Sequence, residues 1–149
     1  MTDLAGFIKT GKLFGLTPGV GFALAEERLG TITEEERWYF EANDPSAGFA
    51  VSRSGIEWQF IDGSLYGIQI DIVDGEFCLN KGYSLGNHLP LTVLIAYLDW
   101  AELDWSFYSK DTYAKQLAIQ LASGVKITYQ YNEDNELVLT SLYHFGKLN

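Results

Sequence analysis

The residues of this chain that most readily carry chemistry are its two histidines and one cysteine. His88 and His144 are 56 residues apart, and neither lies beside a cysteine or in the spacing of a zinc-binding helix motif. Cys78 has no second cysteine to pair with, so we expect a small buried strand residue rather than a reactive thiol. The sequence predicts no metal, no cofactor and no redox chemistry.

The serines, glycines and carboxylates do not form a catalytic pattern either. Ser54 and Ser123 each precede a glycine but lack the other residues of a nucleophile elbow. Three glycines within residues 15–21 lead into a predicted helix without the Lys-Ser/Thr of a phosphate-binding loop, so tight turns explain them. The three carboxylates within residues 71–76 suit a cation or an acid–base pair, and a polar hairpin end explains them equally well. We predict that the protein is not an enzyme.

The charge of the chain points to a type of partner. Its 10 Lys+Arg and 20 Asp+Glu give a formal net charge of -10. An acidic excess repels phosphate backbones, so direct nucleic-acid binding is disfavoured. The charge fits a basic protein partner, although solubility alone also explains it. Two acidic surfaces are candidate binding sites: Glu34, Glu35 and Glu36 form one, and Asp99, Glu102 and Asp104 form the other, with Trp100 and Trp105 as aromatic anchors or core residues.

Length and composition favour one domain over residues 1–149. With 47% hydrophobic and 15% aromatic residues, the chain has enough apolar surface to bury a core. No apolar run approaches the roughly 20 residues that span a bilayer, and the N-terminus lacks the pattern of a signal peptide. We expect a cytoplasmic protein with no membrane partner, and the oligomeric state stays open.

Residues 54–71 are the stretch around which the fold is predicted to form. They alternate apolar and polar residues, break at Asp62-Gly63-Ser64, and alternate again, which is typical of a β-hairpin. One face should carry the apolar side chains of both strands: Ile56, Trp58 and Phe60 in the first, and Tyr66, Ile68 and Ile70 in the second.

Elements on either side of this hairpin can be predicted in outline. A helix should begin at Thr17-Pro18 and end at Gly30, with Val20, Ala23, Leu24 and Leu29 as its apolar side. Trp38 and Phe40 should face inward from a half-buried strand. We expect a turn over 73–76, a short strand over 77–79 and a joint over 80–87. A second helix should follow Pro90, with Leu94, Tyr97, Leu98 and Ala101 on one stripe.

The C-terminal half contains a similar hairpin, which indicates an internal repeat. Residues 54–60 match residues 123–129 at a constant offset of 69. Beyond the turn, Leu65, Tyr66, Ile68 and Ile70 match Leu137, Val138, Thr140 and Leu142, with three extra residues in the later loop. Upstream, Phe49 and Val51 are out of phase with Ile119 and Leu121. The predicted fold is α+β, with two helix-plus-antiparallel-meander units at about 13–79 and 89–145 that pack as one domain.

The first unit resembles a known class of proteins. Gly15-Leu16-Thr17-Pro18 through Leu29-Gly30, followed by residues 55–72, is similar to the immunity proteins encoded beside bacterial polymorphic toxins, and residues 89–145 resemble them more faintly. The resemblance implies a non-catalytic inhibitor that binds one cognate toxin. The alternative is a small-molecule or peptide carrier with a pocket between sheet and helix, lined by Trp58, Tyr66 and Tyr129. A carrier should contain an apolar cavity, whereas an inhibitor should have a filled core and an acidic surface.

Overall fold

The computed structural model describes residues 1–74 and 76–147, with the backbone alone for residue 74. The described residues form three α-helices and two largely antiparallel sheets, which confirms the α+β class. The predicted turn over 73–76 includes Gly75, which lies outside the described residues. None of the described helices is long and apolar enough to cross a membrane.

The helices are α1 (Ala5–Thr10), α2 (Phe22–Leu29) and α3 (Leu91–Trp100). The strands, in chain order, are β1 (Thr2–Asp3), β2 (Trp38–Tyr39), β3 (Phe49–Arg53), β4 (Ile56–Ile61), β5 (Ser64–Asp71), β6 (Phe77–Leu79), β7 (Tyr83–Leu85), β8 (Trp105–Phe107), β9 (Gln116–Leu121), β10 (Lys126–Tyr131) and β11 (Leu137–Phe145). Short 3₁₀ turns lie at Glu34–Glu36, Pro45–Ala47, Ile72–Asp74 and Ser109–Asp111.

The larger sheet contains strands from both halves of the chain. Its order is β2-β3-β4-β5-β11-β10-β9-β8, and every neighbouring pair is antiparallel. A smaller sheet has the order β1-β6-β7, in which β1 pairs parallel with β6. One buried cluster joins side chains of α1, α3 and the smaller sheet to one face of the larger sheet.

The hairpin formed by β4 and β5 has the predicted turn and the predicted facing of its first strand. Asp62 and Gly63 both have positive φ, as a tight two-residue turn between antiparallel strands requires. Ile56, Trp58 and Phe60 are almost completely buried. This part of the sequence prediction is confirmed.

Tyr66 does not share the buried face, and that part of the prediction is wrong. The pairing of β4 with β5 shifts between Gln59 and Phe60, so Tyr66 is the extra residue of a β-bulge. Leu65 takes the inward position instead, and the Tyr66 ring stacks on Phe145 across the outer face at a centroid distance of 5.7 Å.

The C-terminal hairpin buries Val125, Ile127 and Tyr129 as expected, but its strands match the first hairpin with different spacing. Phe60 pairs with Leu65, five residues later, whereas Tyr129 pairs with Leu139, ten residues later. The loop of the second hairpin is therefore five residues longer than that of the first, rather than the predicted three. Each residue of β5 thus corresponds to a residue of β11 two positions later than predicted.

The upstream phase difference between the halves also has a local cause. Arg53 pairs with Ile56 across two residues, whereas Leu121 and Val125 enclose a three-residue turn. Because of this one-residue difference, Val51 and Ile119 occupy matching positions in their strands, and both side chains are buried.

Helix α2 begins at Phe22 rather than at Thr17. Of its predicted apolar side, Val20 and Leu29 pack against the core, but the other two residues do not. The backbone before it bonds to the larger sheet: the Gly19 amide donates to Leu65 O at 2.8 Å, and the Leu65 amide donates to Val20 O at 2.8 Å. These groups are thus unable to form the first turn of a helix. The buried residue of α2 is Ala25, while Ala23 and Leu24 are exposed.

The facing of β2 is also opposite to the prediction. Trp38 is 70% exposed and Phe40 is exposed, whereas Arg37 and Tyr39 are half-buried. The Arg37 guanidinium lies over the Phe49 ring, 4.6 Å from its centroid. Because a cation over an aromatic face is stabilised by the ring quadrupole, Arg37 can occupy the inward position.

The predicted joint over 80–87 contains β7, and the N-terminus is attached to it. The Asp3 carboxylate accepts the backbone N–H groups of Asn80 and Lys81, each at 3.1 Å. Both of those residues have positive φ, and Asp3 also accepts the Ala5 amide at the start of α1. The segment is therefore an ordered part of the smaller sheet rather than a simple joint.

The N-terminal helix is also attached to the C-terminal half. His144 lies near the end of β11, and its Nδ1 is 2.9 Å from the Gly11 carbonyl oxygen. The Ser123 hydroxyl donates to the Ile8 carbonyl at 2.8 Å. Phe7 and Ile8 are buried beside these contacts, so the short N-terminal segment is integral to the core.

We predict that Trp58→Ala lowers the free energy of unfolding by roughly 3–5 kcal/mol, because its ring is completely buried and its loss leaves a cavity. Trp38→Ala is the matched control, since that ring is mostly exposed, and it should change stability by no more than about 0.5 kcal/mol. Urea unfolding measures both variants. Equal losses in the two would contradict the core position of Trp58.

His144 should make stability depend on pH. Burial, with Lys126 nearby, lowers the pKa of His144 in the folded protein, so the unfolded chain binds the proton first as pH falls. Its contribution is complete above a pH of about 6.5, the ordinary pKa, and is lost as pH falls through the depressed folded pKa. The melting temperature of His144→Gln should therefore fall less than that of the wild type between about pH 8 and about pH 5. Parallel profiles would show that His144 contributes no pH dependence.

Candidate functional site

Helix α3 has two apolar sides, and only one of them faces the core. Leu94 and Leu98 are buried at helical spacing, as predicted. Val93, Ala96, Tyr97 and Trp100 form a second stripe, with the i, i+3, i+4, i+7 spacing of one helical face. Trp100 is 72% exposed, so the second stripe presents a large apolar ring to solvent. A contiguous exposed apolar face is typical of a binding surface.

A groove lies between this second stripe and the smaller sheet. Its volume is about 270 Å³, and its walls come from α3, from the segment before it and from β6 and β7. Leu79 and Leu89 supply apolar lining, and Tyr83 forms a rim that is 58% exposed. We call this feature the α3 groove. It is open to solvent, and the buried side chains of Leu79 and Leu94 connect its lining to the core.

Three aromatic rings follow one another along the α3 groove. The Tyr97 ring centroid lies 6.2 Å from that of Tyr83 and 6.0 Å from that of Trp100. The Asn80 side-chain amide donates to the Tyr97 hydroxyl at 3.0 Å, which holds the middle ring. Burial raises the pKa of Tyr97, and the negative charge of Asp3 raises it further. The Asp3 carboxylate lies near this ring, because it accepts the backbone N–H of the same Asn80.

The C-terminal end of α3 carries uncompensated negative charge. Asp99 is in its last turn, and Glu102 and Asp104 follow as exposed residues. Between Lys81 and Lys110 the sequence contains no lysine or arginine. The last carbonyl groups of a helix are already partially negative, so carboxylates are electrostatically unfavourable there. Their placement favours a role in binding over a role in stability.

The structure thus brings together four residues of one predicted surface: Asp99, Trp100, Glu102 and Asp104. Asp99 also has a local role, because its Oδ1 accepts the Trp105 indole N–H at 2.8 Å. Trp105 is half-buried against the core, so it is held in the fold rather than presented. Trp100 is the exposed anchor of the two candidate tryptophans.

Two of the three glutamates in the other predicted surface are occupied by intramolecular partners. Glu36 accepts the Thr33 amide at 3.1 Å and pairs with Arg53 at 2.9 Å. The Thr33 hydrogen bond, followed by Arg53, lowers the pKa of Glu36. Glu34 accepts the Tyr39 hydroxyl and lies 3.6 Å from Arg37. Within the described part of the chain, Glu35 alone of the three makes no side-chain hydrogen bond or ion pair.

The residues proposed to line a pocket between sheet and helix do not meet in one cavity. Trp58 and Tyr129 are completely buried in the core. Tyr66 lies on the outer face of the larger sheet, against Phe145. The space between Ile8, Leu94, Ile127 and Leu142 under α3 is too small to admit a water molecule. Trp58, Tyr129 and the side chains under α3 therefore belong to a filled interior.

Outside the α3 groove lie the cysteine and the two histidines, the side chains that most readily carry chemistry. Cys78 is buried in β6, as predicted. His144 bonds to Gly11, and His88 is exposed before α3. Across residues 1–74 and 76–147, no three His, Cys, Asp or Glu side chains gather in an arrangement that could hold a metal ion.

The sequence analysis missed Tyr83, Val93, Ala96 and Tyr97 as site residues. Tyr97 was assigned to the core stripe, and Tyr83 lies in the segment interpreted as a joint. The 93-96-97-100 spacing was a detectable signal, because it is a complete second helical stripe. Nothing local could have identified Tyr83, since its position depends on the pairing of β7 with β6.

Scans against protein-family models, curated proteins and solved structures found no match to this chain. The α3 groove and the acidic end of α3 are accordingly interpreted from their own geometry. Together they place exposed aromatic rings beside negative charge on one side of the molecule.

We predict opposite stability effects at the two acidic surfaces. Glu102→Gln combined with Asp104→Asn should leave stability unchanged or raise it by no more than about 1 kcal/mol, because it removes charge near a helix C-terminus. Glu36→Gln should lower the melting temperature, since it weakens the Thr33 and Arg53 contacts. Glu35→Gln is the matched control and should have no effect. Thermal unfolding checks all three, and a destabilised double variant would mean that its carboxylates support the fold.

Proposed function

We propose that the protein is a non-catalytic binding protein, and specifically an immunity protein that neutralises a cognate bacterial toxin by occupying a basic surface on it. The observation that carries this proposal is the exposed Trp100 stripe beside the uncompensated acidic end of α3. The resemblance of residues 15–30 and 55–72 to immunity proteins supplies the class of partner. In this proposal the protein acts in the cytoplasm and binds neither nucleic acid nor membrane.

The aromatic part of the surface supplies affinity. Exposed Trp and Tyr side chains are the residue types that most often dominate binding energy at protein interfaces. The Asn80 hydrogen bond holds Tyr97, whose ring lies between those of Tyr83 and Trp100, so little side-chain entropy is lost at this residue when a partner binds. A filled core beneath them gives a rigid platform.

The acidic part of the surface supplies attraction and selectivity. A toxin that acts on nucleic acid presents a basic cleft, and Asp99, Glu102 and Asp104 offer it complementary charge. The net charge of -10 also attracts a basic partner, and this attraction acts over a longer range. Since the described residues present no catalytic set, occupation of the cleft is the inhibitory act that we propose.

We further propose that the chain is an internal repeat in which the second unit has become the binding unit. The two β-bulges lie between residues 59 and 60 and between 128 and 129, a separation that keeps the offset of 69. The two four-strand groups are also placed symmetrically about β5 and β11. Among the described helices, α3 alone carries an exposed aromatic stripe, whereas the exposed residues of α2 are Ala23, Leu24, Glu27 and Arg28.

The test is the kinetics of binding to the product of a neighbouring, toxin-sized reading frame. The association rate should fall steeply as salt rises, because surface attraction is screened over about 8 Å near physiological ionic strength, while dissociation changes much less. Glu102→Gln with Asp104→Asn should slow association, and Trp100→Ala should weaken binding by at least about 30-fold.

Controls separate the two surfaces and the enzyme alternative. Glu35→Gln probes the other acidic surface, and Trp38→Ala removes an equally exposed tryptophan on β2. Neither should change binding. Association that is insensitive to salt and to the α3 variants would remove the proposed mechanism, and turnover of a substrate by the purified protein would remove the inhibitor class.

A further inference from the structure

The α3 groove combines an apolar interior with an aromatic rim and nearby negative charge. Leu79, Leu89 and Leu94 line its interior, and the rings of Tyr83, Tyr97 and Trp100 border it. The Asp3 carboxylate accepts the backbone N–H of Asn80, and the Asn80 side chain donates to the Tyr97 hydroxyl, so this carboxylate lies close to the middle ring. A ligand that matches all three features has an aliphatic stem and a cationic, planar head.

Elsewhere in the molecule, two half-buried aromatic clusters hold a cation of the same chain. The Arg37 guanidinium lies over Phe22 at 5.2 Å as well as over Phe49. Lys126 lies 4.9 Å from the ring centroid of Tyr108 and 5.8 Å from that of Tyr143. These pairs show how this fold satisfies the negative face of an aromatic ring.

The α3 groove differs from these two clusters. Within residues 1–74 and 76–147, no lysine or arginine of the chain lies over Tyr83, Tyr97 or Trp100. Lys81 is the basic residue nearest in sequence, and it is not over any of the three rings. The most exposed aromatic cluster thus combines a negative environment with open ring faces.

We propose that the α3 groove receives an arginine side chain from the basic partner. This inference rests on the proposed function and names the group that the groove recognises. The arginine methylenes pack on Leu79 and Leu89, and the guanidinium stacks on the exposed rings, with the Asp3 carboxylate near Tyr97. Arginine is favoured over lysine because its head is planar, less strongly hydrated and better suited to stacking.

Other occupants match fewer of these features. A purely apolar side chain would leave the negative charge without a counterpart, and a phosphate or an anionic lipid headgroup would be repelled by it. An apolar occupant predicts a larger response to an apolar probe than to an arginine probe, so it serves as an outcome of the test.

The test uses the full chain labelled with ¹⁵N and a titration with N-acetyl-arginine-methylamide. The probe needs no knowledge of the partner. The indole N–H signals of Trp38, Trp58, Trp100 and Trp105 report four different environments in one spectrum. Trp100→Phe assigns the Trp100 signal. Trp38, with similar exposure on β2, is the internal control for non-specific attraction of a cation to an acidic protein.

We expect the Trp100 signal to shift and the Trp38 signal to stay in place. The citrulline analogue has nearly the same shape but no charge, and it should act at least about threefold more weakly. N-acetyl-leucine-methylamide should act as weakly as the citrulline probe. Tyr97→Ala, which removes the middle ring, should reduce the arginine shift at Trp100 to the level seen with citrulline.

Three results would overturn the inference. They are equal shifts with arginine and citrulline, a larger shift with the leucine probe, and an equal response at Trp38. If one of these occurs while partner association remains salt-dependent and sensitive to Trp100→Ala, the inference fails and the proposed function stands. If the arginine probe responds as expected but no inhibited partner is found, the proposed function fails and the arginine site stands.

Discussion

The antiparallel pairing of β5 with β11 is the constraint on which the rest of the structure depends. It joins the two four-strand groups at the centre of the larger sheet, with Ile70 opposite Leu142 and Ile68 opposite His144. Since side chains alternate between faces, a one-residue slip of β11 would turn Leu142 away from the buried face on which Ile70 lies. Gly67 helps to set this register, because a Cβ there would clash with the Phe145 ring that packs over it.

The hairpins were predictable because one short-range rule governs them. Strict alternation around Asp62-Gly63 determines which side chains of β4 are buried. The predictions that were wrong concern features that depend on residues distant in the sequence or on a contact between two side chains. Helix α2 starts late because the Gly19 and Val20 backbone groups bond to Leu65, a partner about 45 residues away in sequence, and such pairings are set by the fold rather than by local propensity. Trp38 faces outward because Arg37 can take the inward place over Phe49.

The site was predictable to a similar extent. Composition and charge located Trp100, Asp99, Glu102 and Asp104, because exposed acidic and aromatic residues cluster there in the sequence itself. The groove required β7, whose residues become neighbours of α3 only when Asp3 holds Asn80 and Lys81. In α3, Val93 and Trp100 are exposed apolar residues, and Glu102 and Asp104 follow the negative end of the helix dipole; local conflicts of this kind are typical of functional sites.

The attachment of α1 to the last strands has a consequence for the order in which the protein assembles during translation. Ile8 and Gly11 accept hydrogen bonds from residues 115 and 133 positions later in the chain. On the ribosome, Leu4, Phe7 and Ile8 therefore leave the exit tunnel long before the side chains that bury them have been made. Contacts of such wide sequence separation form late and slow the final closure of a domain. The nascent chain thus carries an uncovered apolar helix for most of its synthesis, and it is the emergence of β11 that allows this helix to be buried.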